Sequence, residues 1–169
     1  KYSKVVVIFD TARKTFRNSI YKPYKANRGE PPEDLIPQFE LIKKAVDAFN
    51  ISRIELSGYE ADDLIASYSK FFTAKGWEVS IISSDKDLMQ LINDKVHMVD
   101  PLKNKLIKKK EVIEKFGVAP EKVVDVQSLA GDSIDNIPGA PGIGLKTGAL
   151  LINEYGSLEN LLLNFSKIK

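Results

Sequence analysis

The spacing of apolar residues changes repeatedly along this chain. Val5-Val6-Val7-Ile8-Phe9 is an unbroken, mostly β-branched run, the pattern of a buried parallel strand. The next segment, residues 11–32, is polar, with neither strand alternation nor a strong helical stripe, and reads as a long loop. Leu35, Phe39, Ile42, Val46 and Phe49 then follow the helical period. They predict a packing helix over 32–50, with Pro37 setting a kink or a late start. Residues 51–56 read as a short strand, and a helix after Ala61 is stopped by Gly76. Val79, Ile81 and Ile82 mark a second buried strand over 78–84. A short helix over 88–92 and a strand over 96–99 follow. Beyond that only helices are predicted, over 111–116, 121–130 and 148–155, with another from Ser157. The order implies an α/β body followed by a small helical module.

Composition narrows the setting. At 43% hydrophobic and 28% charged, 169 residues can bury a core. The absence of cysteine excludes disulfides and thiolate metal sites and fits a reducing, cytoplasmic compartment. No apolar run approaches the roughly 20 residues of a membrane span, so no membrane partner is expected. Lys1 stands directly before a strand and is not an initiator Met, which reads as a fragment.

A net charge of +2 conceals segregation, because Arg13, Lys14, Arg17, Lys22, Lys25 and Arg28 occur in a stretch without an acid. With Phe16, Tyr21 and Tyr24 interleaved, that stretch suits strand phosphates and stacked bases. A solvated loop with its aromatics folded back is the alternative. A second basic run, Lys103, Lys105, Lys108, Lys109 and Lys110, reads as a solvated connector. His97 reads as structural, and Trp77 as a core or edge residue.

The acids carry the candidate chemistry. Asp10 closes the first strand; Glu60, Asp62 and Asp63 open a helix; Asp85 and Asp87 follow another strand; Asp132 and Asp135 precede a Pro/Gly-rich hairpin. Each has a plain alternative as a turn or helix cap, and acids favour a first helical turn. Brought together they would repel, so cations must accompany them. Oxygen ligands select Mg²⁺ or Mn²⁺ over zinc, and two such ions suit phosphodiester hydrolysis. The glycine hairpin before Lys146 suits a phosphate, because bare N–H groups and the helix dipole both face the anion.

At Gly58-Tyr59-Glu60-Ala61-Asp62-Asp63, Ser84-Asp85-Lys86-Asp87, Gly131-Asp132-Ser133-Ile134-Asp135-Asn136-Ile137-Pro138-Gly139 and Gly144-Leu145-Lys146-Thr147 the chain resembles the 5′-nuclease family. The similarity is to the 5′→3′ exonuclease domains and flap endonucleases, and it spans essentially the whole chain. It implies a PIN-like parallel sheet flanked by helices over 1–115, with a helical arch at 11–32. A helix–three-turn–helix (helix–hairpin–helix) module over 116–169 follows.

The resemblance also implies roles. Asp10, Glu60, Asp62, Asp63, Asp85, Asp87, Asp132 and Asp135 match the metal carboxylates, for two Mg²⁺ or Mn²⁺. Arg17, Tyr24, Lys25 and Arg28 match arch residues that engage the 5′ strand and the scissile phosphate. Gly142, Gly144, Lys146 and Thr147 match the duplex-binding region, where relatives often hold K⁺. The implied substrate is DNA with a 5′ flap, nick or branch, and the resemblance admits a C-terminal polymerase domain in the intact protein. The family's first strand, which carries a further Asp ligand, has no counterpart here, so a DNA-binding fragment without turnover is the alternative. A PIN-type ribonuclease is disfavoured by the duplex-binding region. Ser83-Ser84-Asp85 stands where the family more usually has Thr-Gly-Asp.

Overall fold

Helices and strands alternate through the first hundred residues of a computed structural model that describes residues 3–167. The chain divides into two units, Lys1–Ser67 and Tyr68–Lys169.

In the first unit, β1 (Val6–Ile8) pairs in parallel with β2 (Ser52–Ile54), with Val7 opposite Arg53. The connection carries α1 (Phe16–Ile20) and α2 (Ile36–Ala48). Helix α2 starts where the sequence places Pro37, at the second helical position, where its missing N–H costs no hydrogen bond. Two expectations change here. The segment 11–32 is not wholly a loop, because α1 forms within it and turns run over 22–27. A five-residue helix is too short to show a stripe in sequence. The run at 5–9 is not fully buried either. Val5 and Val6 are exposed and Val7 to Phe9 half-buried, since β1 pairs only with β2 among the described strands.

The stripe of α2 is likewise left exposed, with Phe39 44% and Phe49 78% accessible, so the packing role read from its period is not met within this unit. A charge network joins α2 to β2 instead. Lys43 Nζ meets Glu55 at 2.7 Å, and Arg53 binds Glu55 at 2.6 Å and Asp47 at 3.1 Å. Helix α3 (Ala61–Ala74) begins in this unit.

The second unit holds most of the core. Strand β3 (Val79–Ile82) runs parallel to β4 (Val96–Asp100), which pairs antiparallel with β5 (Lys105–Ile107). Strand β5 was hidden in the second basic run, because three residues among lysines show no alternation; its partner β4 supplies the missing information. A 3₁₀ helix (Lys86–Leu91) follows β3, and α4 (Lys109–Phe116) follows β5 and ends at Gly117 in the left-handed conformation. Helices α5 (Val123–Ala130), α6 (Leu145–Tyr155) and α7 (Leu158–Leu163) complete the unit. Met98, Val112, Val123, Val126 and Ile152 are fully buried among these elements. His97 meets Ser80 through Nε2 across the β3–β4 pair, the structural role its isolation suggested. Trp77 is an edge residue, its ring 5.7 Å from Phe72.

The Pro/Gly stretch is held by close backbone contact. Asp132 and Ile137 exchange both backbone hydrogen bonds, at 2.9 and 2.7 Å, and Ala140 donates to the Leu129 carbonyl at 2.7 Å. A Cβ on Gly131, which has φ +71°, would lie 2.4 Å from the Gly139 nitrogen. By contrast Gly142, at φ +79°, faces open space. Gly131→Ala should therefore cost about 3 kcal/mol, a clash added to backbone strain. Gly142→Ala should cost about 1 kcal/mol from strain alone. Urea unfolding of both variants checks the difference.

A second prediction concerns pH. The bond from Lys43 outweighs burial and, helped by the charge of Arg53, holds the Glu55 carboxyl below its ordinary range. A group depressed in this way stabilises the fold above its unfolded pKa, and the contribution is lost as pH falls through the folded value. Glu55→Gln should flatten the decline of Tm below about pH 4.3, the unfolded glutamate value. A thermal-melt series against pH checks it.

Candidate functional site

Each unit gathers its own set of acids. In the first, Asp10 follows β1 and its Oδ1 accepts the Ala61 N–H at 2.6 Å, capping the start of α3. Asp63, in the first turn of α3, accepts the Glu60 backbone N–H at 2.9 Å, one half of a capping box. The plain capping alternative thus holds for both residues, and it coexists with a clustered arrangement. Glu60 is buried, and its Oε2 accepts from Lys25 Nζ at 2.9 Å and from the Tyr24 hydroxyl at 3.1 Å. Arg17 grips Asp63 with two parallel bonds of 2.8 and 2.7 Å and lies 3.9 Å from Glu60. Asp62 occupies the second position of α3 and is half-buried.

Three of the four residues matched to the arch therefore stand on two of the matched metal carboxylates. The bonds from Arg17 hold the Asp63 carboxyl below its usual range despite burial, and Asp63 raises the Arg17 guanidinium in return. Burial works against the charge on Lys25, but its bonds to Glu60 and Tyr24 outweigh it and leave the ammonium above its ordinary value. Lys25 adopts φ 55°, a left-handed conformation that side chains other than glycine rarely take. Tyr24 is buried, with only its hydroxyl turned to the acid. Arg28 lies on the exposed turn beyond, where its carbonyl accepts from Arg13.

In the second unit one ammonium, that of Lys86, is bound to Asp132 and lies within the field of Asp87 and Asp85. Asp85 caps the 3₁₀ helix by accepting the Asp87 N–H at 2.9 Å. Lys86 Nζ reaches Asp132 Oδ2 at 2.7 Å and feels the charges of Asp87 and Asp85 as well. The other Asp132 oxygen accepts the N–H groups of Ile134 and Asp135, at 2.9 and 3.4 Å. Asp87 Oδ1 accepts from Gln127 Nε2 at 2.6 Å. Burial pushes the Asp87 carboxyl up, and repulsion from Asp85 and Asp132 adds to this against the bond from Gln127. Burial also acts on Asp132, but the Lys86 bond and the Ile134 N–H prevail and hold it below its usual range. Asp135 is half-buried one turn further on.

No basic residue adjoins Asp132 along the chain, yet Lys86 lies against it from 46 residues away. Sequence reasoning also passed over Gln127 and the pair Ser84–Asp100. Ser84 Oγ donates to the buried Asp100 carboxylate at 2.7 Å, tethering the residue before Asp85 to the end of β4. The Lys86 in the motif was the one available signal; Gln127 and Asp100 offered none, since their partners are distant in sequence.

Among the described residues no three His, Asp or Glu side chains form a ready metal cage. The donor chemistry nonetheless fits a hard divalent ion, because both sets are carboxylate oxygen without thiolate or imidazole.

The phosphate candidates cluster at one helix start. Gly144 is the N-cap of α6, without a side-chain cap bond, so the N–H groups beyond it stay open. Lys146 and Thr147 are exposed in that first turn, and Gly142 is exposed just before it.

Residues 1–117 match the family model described as 5′-3′ exonuclease, N-terminal resolvase-like domain, and residues 118–169 match 5′-3′ exonuclease, C-terminal SAM fold. Over 98% of its length the chain is 56% identical to DNA polymerase I of Rhizobium leguminosarum, of which it spans 16%. It is 43% identical to the 5′-3′ exonuclease of Aquifex aeolicus over 98% of its length, spanning 57% of that protein. The chain thus spans less than two thirds of these relatives. Among solved structures it resembles T5 5′-exonuclease with divalent metal ions (zinc) bound, at 28% identity and TM-score 0.85, covering 96% of this chain and 64% of that one. A T5 flap endonuclease in a pseudo-enzyme-product complex with DNA and metal ions matches at 27% identity and TM-score 0.83, covering 95% and 63%. With the two models together covering residues 1–169 and the PIN-like α/β body followed by its helical module, this chain belongs to the 5′-3′ exonuclease family of nucleases.

Proposed function

We propose that the protein is a divalent-cation-dependent 5′→3′ DNA exonuclease and flap endonuclease, hydrolysing phosphodiesters near 5′ ends or branch points. Its setting would be replication and repair in the bacterial cytoplasm. The observation that carries this reading is the Lys86 ammonium, bound to Asp132 at 2.7 Å with the charges of Asp87 and Asp85 acting on it from further off. A cation already stands against Asp132, and Mg²⁺ or Mn²⁺ would offer the acids twice the charge. Asp85, Asp87, Asp132 and Asp135 would hold such an ion in the second unit, and Asp10, Glu60, Asp62 and Asp63 in the first. When bound, the metal supplies Lewis acidity and a water of lowered pKa. Arg17 and Lys25 stand on Asp63 and Glu60, and their positive charges suit the scissile phosphate of an incoming strand. At the start of α6, Gly142, Gly144, Lys146 and Thr147 present open N–H groups and a cation to duplex phosphates, with K⁺ as a further ligand there.

Three kinds of support converge: the family membership, the oxygen-only donor sets, and the metal- and DNA-bound states of the T5 neighbours. A functional division near residue 116 and a C-terminal polymerase partner in the intact protein belong to the same proposal. Among the described residues no helix is long and apolar enough to cross a membrane.

Asp132→Ala should lower cleavage of a labelled 5′-flap duplex in Mg²⁺ by about 10²-fold or more while leaving DNA affinity intact. Full-rate cleavage by this variant would contradict the assignment. Flap binding without cleavage by the unaltered protein, in Mg²⁺ and Mn²⁺ alike, would favour a DNA-binding fragment. Lys146→Ala should weaken duplex binding and lower the slope of log affinity against log salt by about 0.9. Anisotropy titrations at several KCl concentrations measure that slope.

A further inference from the structure

Behind the strand end that carries Asp85 lies a cleft of about 250 Å³, lined by Ser84, Asp100, Lys103, Lys105, Glu111, Glu114 and Lys115 among others. Its formal charges balance, three lysines against three acids, but their availability does not. Asp100 is taken by Ser84 Oγ and by the Leu102 and Lys103 N–H groups, with Lys103 Nζ at 3.7 Å. Glu111 Oε2 accepts the Lys108 N–H at 2.8 Å as part of a helix cap, and Glu114 faces Lys110 at 3.8 Å. Lys105 and Lys115, by contrast, make no hydrogen bond or ion pair to a carboxylate among the described residues.

Both lysines are anchored by rigid elements. Lys105 is fixed in register opposite Asp100 by the β4–β5 pairing, and Lys115 rides on α4, whose Val112 and Phe116 are buried. Burial, with the nearby charges of Lys103 and Lys86, holds the Lys115 ammonium below its ordinary value. Lys115 also feels Asp87 and Asp85, so the cleft adjoins the second-unit acids. Positive charge not bonded to a carboxylate, held beside acids suited to phosphodiester chemistry, favours an anion.

We propose that this cleft binds a backbone phosphate of the DNA strand, with Lys105 and Lys115 as its cations and Lys103 at its rim. The site deepens the nuclease reading and rests on it. It also gives two of the five lysines in the second basic run a function other than solvation. Lys103 and Lys105 line the cleft, whereas Lys108, Lys109 and Lys110 stand outside it. Because the two groups carry like charge a few residues apart, they form an internal control.

The test compares two double variants of equal charge, Lys105→Gln/Lys115→Gln and Lys108→Gln/Lys109→Gln. Binding of a labelled 5′-flap duplex is followed by anisotropy in Ca²⁺ across a KCl series, with circular dichroism melts confirming the fold. The cleft variant should lose about 1.8 from the log–log salt slope, two phosphate contacts' worth, and the control pair markedly less. Equal slopes in the two variants would overturn the proposal while leaving the nuclease reading intact. Failure of the unaltered protein to bind flap DNA would overturn both. Competition by thymidine 5′-monophosphate at the cleft, with flap affinity unmoved by the cleft variant, would assign the site to a released mononucleotide and overturn the strand assignment.

Discussion

Carboxylates held close together repel, and this protein meets that constraint with basic side chains drawn from elsewhere in the chain. In the first unit Arg17 and Lys25 neutralise Asp63 and Glu60 across 46 and 35 residues of sequence. In the second, Lys86 does the same for Asp132 across 46 residues. Removing any of the three cations leaves partly buried charge uncompensated, which costs more than the pair contributes. Folding of the acid-bearing segments and placement of the cations are therefore one problem. The left-handed Lys25 is where that coupling shows in the backbone, since strain there is tolerated to keep its ammonium on Glu60.

The same arrangement relates resting charge to function. On the proposed reading, acids balanced by lysine and arginine would exchange those partners for a divalent ion and a phosphate without passing through a bare state. The side chains that balance the acids are the ones a phosphate would attract. Ser84, where a glycine is more usual, fits this economy by another route: its hydroxyl binds Asp100 and steadies the strand end that carries Asp85. Asp87 is the exception, a half-buried acid steadied by the neutral amide of Gln127 and pushed towards its protonated form by burial and its neighbours. It is the member of the set with most to gain from added positive charge.

The close approach of Gly131 and Gly139 has a matching purpose. It lets two backbone segments meet within the span of one peptide group, so that Asp132 and Ile137 exchange both hydrogen bonds. The carboxylate that faces Lys86 thereby sits on a backbone fixed from two sides. Gly142 carries no such load, and its openness just before α6 leaves the helix start accessible.

The sequence alone determined the acids, the basic segments and the punctuation: Pro37 at the start of α2, Gly117 and Gly156 at helix ends, Ser157 as the cap of α7. These are local effects, set by backbone conformation and neighbours a few residues away, so they are legible without a fold. Tertiary structure alone decided which lysine answers which acid, that Asp10 caps a helix 51 residues away, and that β5 lies within a lysine run. It also decided how much of the apolar pattern was covered, leaving β1 and α2 more exposed than their sequence implies. Pairing and burial depend on residues distant along the chain, and no local pattern encodes a partner it does not touch.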